Sequence, residues 1–162
     1  MAYNFEELIQ NDFDILLFDG IKLIHIASAG GILPHKISDS SINFKQQIRE
    51  VYKYRRIFES IENDSVNRDN ITDTKDYYQF FRYMSKRGFY SYDRVNINDI
   101  DDQIYQLISK PKYNRKITLS SVASEIDPYI KTKYSLRSNI LFLITSKEFP
   151  DNFDLFDLTE FL

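Results

Sequence analysis

The chain carries two histidines and no cysteine, so any histidine-based mechanism would have to run through His25 or His35. Ser28 lies near His25 and Asp39 near His35, which supplies the residue types of a small Ser-His-Asp hydrolase. The spacing argues against it. Residues i and i+3 of a strand face opposite sides, so His25 and Ser28 meet only if the strand breaks at Ala27. No Gly-x-Ser-x-Gly turn presents a serine as nucleophile. His25 reads as a residue packed in a sheet face and His35 as a loop residue.

The run Ala27-Ser28-Ala29-Gly30-Gly31 could turn several backbone N–H groups toward an anion. It lacks both G-x-G-x-x-G and a Gly-Lys-Ser/Thr ending, so a turn that needs small side chains is the better reading. Asp99, Asp101 and Asp102 form an acidic knot with Asp93 upstream, but the glycine and twelfth-position glutamate of a calcium loop are missing. The expectation is no metal and no cofactor.

Two charged segments suit macromolecular partners. Lys110, Lys112, Arg115 and Lys116 surround Tyr113, and two further basic groups (Lys53, Arg55 and Arg56; Arg82, Lys86 and Arg87) adjoin Tyr52, Tyr54 and Tyr83. Cations beside rings are the footprint of single-stranded nucleic-acid binding, although helix residues of this kind also serve as solvent-facing flanks. Lys147–Leu162 is the opposite pole, with five acids against one lysine. There Asp151, Asp154 and Asp157 alternate with Phe149, Phe153, Phe156 and Phe161. Carboxylates speed encounter with a basic partner, and an exposed Phe153 or Phe156 would anchor it. Alternatively, these rings are core and the acids face water. The Asp99–Asp102 knot is the second acidic candidate.

These residues are positioned by elements that the pattern also predicts. Asp19-Gly20 between Ile15–Phe18 and Ile21–Ile26 predicts a hairpin closed by a two-residue turn. Tyr3–Gln10 reads as a short helix. Ser40 or Ser41 can cap a second helix, in which Phe44, Ile48, Val51, Tyr52, Arg55, Phe58 and Ile61 recur at helical spacing to about Glu62. Asn63–Asp73 is loop. Asp73 can cap a third helix through Tyr77, Phe80, Phe81 and Met84, stopping before Gly88. Phe89–Tyr92 and Ile104–Ser109 read as strands, the latter ended by Lys110-Pro111. A short helix opens at Ser120 or Ser121, and Ile140–Thr145 reads as a buried strand. The interleaving predicts one α+β domain over residues 1–162, with a mainly antiparallel sheet beginning at the hairpin and two or three helices packed on it.

Composition narrows the function classes. Without cysteine there is no disulfide framework, thiolate zinc site or cysteine nucleophile. Met1–Gln10 carries Glu6 and Glu7 and no apolar core, so no export signal is expected, and Ile140–Ile144 is too short to span a bilayer. A cytoplasmic location follows as the expectation. Abundant Ile, Asn, Lys, Tyr and Phe suggest an AT-rich gene, as in low-GC bacteria or mobile elements. Together these features favour a non-enzymatic immunity or inhibitor protein that binds a toxin or effector with a basic surface. RNA or DNA binding through Lys110–Lys116 is the alternative, and a small hydrolase around His25 and Ser28 the lesser one.

Overall fold

A computed structural model describes residues 3–52, 56, 58–66, 74–112 and 143–162. Among them run α1 (Phe5–Gln10), β1 (Asp14–Phe18), β2 (Leu23–Ala27), α2 (His35–Ser38), α3 (Phe44–Val51), β3 (Ser60–Glu62), α4 (Thr74–Ser85), β4 (Phe89–Arg94), β5 (Ile104–Pro111), β6 (Leu143–Ile144) and β7 (Phe156–Asp157), with a closing 3-10 turn at Leu158–Phe161. The strands join in the order β3-β5-β4-β2-β1-β6, and β7 also pairs with β5. The fold is α+β, as expected. The antiparallel expectation holds only in part, because β2 pairs with β4, and β1 with β6, in parallel. Among the described residues, three helices and β3 separate β2 from β4, a crossover long enough to bring the chain back in the same direction.

The hairpin forms, with its tip one residue beyond the expected Asp19-Gly20. A two-residue turn at Asp19-Gly20 would pair Phe18 with Ile21, whereas Phe18 pairs with Leu23 and Asp19 N–H donates to Lys22 O at 3.4 Å. Gly20 supplies the positive φ, +91°. The shift follows from what the Asp19 carboxylate does. Its Oδ1 accepts from Ile21 and Lys22 N–H, and its Oδ2 accepts from Phe149 N–H and pairs with the Lys22 ammonium at 2.9 Å. Asp19 is thus a buried anchor between the hairpin and the C-terminal segment. The slip amounts to two residues on the second strand, so every side chain keeps its face.

Two helix expectations need correction. The cap of α3 is Asn43, whose side chain accepts from Gln46 N–H, rather than Ser40 or Ser41. The helix ends at Val51 rather than near Glu62, because Ser60–Glu62 forms the edge strand β3 against Ser109–Pro111. Pairing with an open sheet edge overrides the helical spacing of Ile61, which is left exposed. That pairing also extends β5 to Pro111, beyond the expected stop at Ser109. There β4's ladder has ended, so a proline with one neighbouring strand is tolerated. At the end of α4, Gly88 takes φ +98° as the C-terminal residue its type predicts. Asp73, the helix at Ser120 or Ser121 and residues 140–142 lie outside the described residues.

Alternation along the strands sends side chains to two layers. Ile15, Leu17, Ile24, Ile26, Tyr90, Tyr92, Tyr105 and Leu107 meet Leu8, Ile37, Phe44, Phe149, Leu158 and Phe161 in the main core. The opposite face carries His25, Ser91, Asp93 and Ser109 and is covered by α4: Phe80 contacts His25, Ser85 Oγ bonds Ser109 Oγ at 2.6 Å, and Tyr77 reaches Asp93. No helix among the described residues is long and apolar enough to cross a membrane.

Candidate functional site

A cleft of about 690 Å³ opens where the start of α4 overhangs the polar face, lined in part by Asp12, Asp14, Asp93, Tyr77, Phe80 and Ile97. Asp12 and Asp14 are two apart on extended chain and so share a side, and Asp93 arrives because the parallel ladder sets it beside Ala27. Among the described residues, no lysine, arginine or histidine is in the lining. Burial pushes the Asp93 carboxyl up to about 7, against the Tyr77 hydroxyl donating at 2.7 Å, and the charge of Asp12 adds to the rise. Burial likewise raises Asp12, opposed by Ala29 N–H donating at 2.8 Å. The cleft is acidic with aromatic walls, a shape that accepts a cationic head on an apolar stem.

Beneath it, His25 Nε2–H donates to Asp14 Oδ1 at 2.9 Å and His25 Nδ1 accepts from the Ser91 hydroxyl. Serine, histidine and aspartate do meet, but not as the sequence suggested and not as a nucleophilic set. His25 and Ser91 are fully buried, and the serine sits at Nδ1 on a central strand where no substrate reaches it. Ser28 does not join them. Its Oγ accepts from Phe13 N–H at 2.7 Å and faces Asp12. His35 is exposed, 3.5 Å from Asp39.

The small-residue loop is a turn, and three of its donors bond within the chain. Ser28 N–H bonds Phe13 O, Ala29 N–H bonds Asp12 and Gly31 N–H bonds Ser28 O. Gly31 is required by a close approach: a Cβ there would stand 1.1 Å from Arg94 Nη1. The buried Arg94 guanidinium donates to Ile32 O and Ile100 O at 3.0 and 3.1 Å, pinning the loop that carries Asp99 and Asp101 beside the cleft.

The acidic tail runs along β5. Lys110 Nζ donates to Asp151 O at 2.6 Å, Gln106 bonds Phe153 O, Asp157 pairs with Ile104, and Leu158 N–H donates to Gln103 O at 2.9 Å. This brings the tail's end next to the Asp99–Asp102 loop, joining the two acidic segments across more than fifty residues of sequence. Phe156 packs edge to face with Tyr92, Phe149 and Phe161, and Phe153 is half-buried with the Lys110 ammonium over its ring. The apolar side chain that the tail exposes is Leu155, at 57%, with Ile97 and Ile100 exposed on the neighbouring loop. Asp99, Asp101, Asp151 and Asp154 are exposed. Asp102 accepts from Asn96 and Ile104 N–H, and Asp157 from Thr159 N–H, so both brace local turns.

Of the basic candidates, Lys112 pairs with Glu59 at 2.9 Å and Lys110 is held by the tail. Tyr113, Arg115 and Lys116 lie outside the described residues. Among those described, no group of three or more His, Asp or Glu side chains is arranged to hold a metal ion. Sequence reasoning singled out the exposed acids but missed Asp12 and Asp14, whose i, i+2 spacing at a strand start was the available signal. No family model matches the chain, and comparison with curated proteins and with solved structures gave no match.

Proposed function

We propose that the protein is a non-enzymatic binding module of the immunity or inhibitor type, acting in the cytoplasm on a toxin or effector with a basic surface. One observation carries this reading: the β5–β7 pairing, which joins the Asp99–Asp102 loop and the Asp151–Asp157 tail into one acidic edge beside the acidic cleft. Ile97 belongs to both, as part of that loop and of the cleft wall. Exposed aliphatic side chains ringed by carboxylates combine a desolvated centre with a field that steers a cationic partner. The cleft would receive a lysine or arginine side chain from that partner.

Co-expression with the product of the neighbouring gene tests this. The expected result is a stoichiometric complex that relieves that protein's toxicity. A chain that instead carries nucleic acid released by salt, and no protein partner, contradicts the reading and favours the Lys110–Lys116 segment.

A further inference from the structure

Residues far apart in sequence meet past the C-terminal end of α4. Phe58 N–H donates to Lys86 O at 3.1 Å, holding Phe58 against that end, and Tyr52 meets Tyr83 edge to face with centroids 5.4 Å apart. The Arg87 guanidinium lies 3.5 Å over the Tyr83 ring, and its Nη1 donates to Tyr83 O at 3.0 Å.

A helix-end carbonyl and a ring account for one nitrogen and one face of Arg87. They leave the rest unexplained. Arg87 is only 5% exposed, yet its Nε is buried without an acceptor, and among the described residues its Nη2 makes no hydrogen bond. No carboxylate among the described residues pairs with Arg87 or with exposed Arg56. Burial pushes the Arg87 guanidinium down from its ordinary value, and the charge of Arg56 pushes it further. An unfilled buried donor and a like charge acting on it are both unfavourable, and a doubly charged oxyanion relieves both. The free edge of a guanidinium fork is the geometry that grips such a group side-on.

We propose that Arg87 and Arg56, framed by Tyr52 and Tyr83, form a binding site for a phosphate group, either free or borne on a nucleotide. The site lies apart from the acidic face and does not depend on its reading. Tyr52, 52% exposed, offers a ring on which a nucleobase can stack.

The test follows the Arg87 Nε–H resonance while inorganic phosphate is titrated against chloride at matched ionic strength. A saturable shift with phosphate alone is expected. Arg56→Ala, at an exposed position, should weaken binding about tenfold with an unchanged thermal midpoint, and Arg87→Lys, which keeps the charge and removes the fork, should do at least as much. A shift that does not saturate, that chloride reproduces or that survives Arg56→Ala overturns the proposal. Adenosine monophosphate separates the sources. Tighter binding than phosphate, by a margin that Tyr52→Ala removes, assigns the site to nucleotides. Equal affinity assigns it to the phosphate group alone.

Discussion

Alternate residues of the same strands build two faces of different kinds. One is apolar and aromatic, with Tyr92 set edge to face between Phe149 and Phe156 and its hydroxyl closed by Pro150 O at 2.6 Å. The other is polar, with His25, Ser91, Ser109 and Asp93 held in hydrogen bonds beneath α4. The first face binds the C-terminal segment to the sheet and so holds the acidic tail on β5. The second opens into the cleft. Stability and recognition are therefore divided between faces, and substitutions should separate them.

The largest effect is expected on the apolar face. Tyr92→Ala removes a fully buried ring and should cost about 3–5 kcal/mol in denaturant unfolding, loosening the tail as well. On the polar face, His25→Gln should cost about 1–3 kcal/mol, since glutamine cannot satisfy Ser91 and Asp14 together. Partner binding should survive it. Complete loss of function in a folded His25→Gln variant would instead give the histidine a chemical role.

Asp93 makes the polar face sensitive to pH. Its carboxyl rises from 3.8 to about 7 on folding, so between those values the folded chain holds a proton that the unfolded chain has released. Stability should fall as pH rises through that window, by up to about 1.4 kcal/mol per pH unit, and the loss is complete above it. Unfolding midpoints measured across the window should show this slope, and Asp93→Asn should flatten it. A slope that Asp93→Asn leaves intact would point to Asp12.

The hairpin and α4 were legible in the sequence. The Asp-Gly pair announced the hairpin, and the aromatic spacing of Tyr77, Phe80 and Phe81 announced α4, because both signals are local. Where a local signal competed with pairing, pairing won: Ile61 fits a helix by spacing yet lies in an edge strand. The cleft was not legible, since Asp93 reaches Asp12 only through the parallel β2–β4 ladder, and no local pattern encodes a parallel neighbour. The hairpin tip moved for a similar reason, as the Asp19 carboxylate answers to Phe149 at the far end of the chain.

The smallest effect on stability should accompany the largest effect on recognition. Asp99→Asn, Asp101→Asn and Asp154→Asn change exposed side chains at constant size, so together they should leave the thermal midpoint nearly unchanged. The decisive measurement is the association rate of this triple variant with the basic partner, taken at low and at physiological ionic strength. The account predicts about a tenfold slower association at low salt, with most of the salt dependence gone. An unchanged rate with an unchanged salt dependence would contradict the claim that this acidic edge meets the partner.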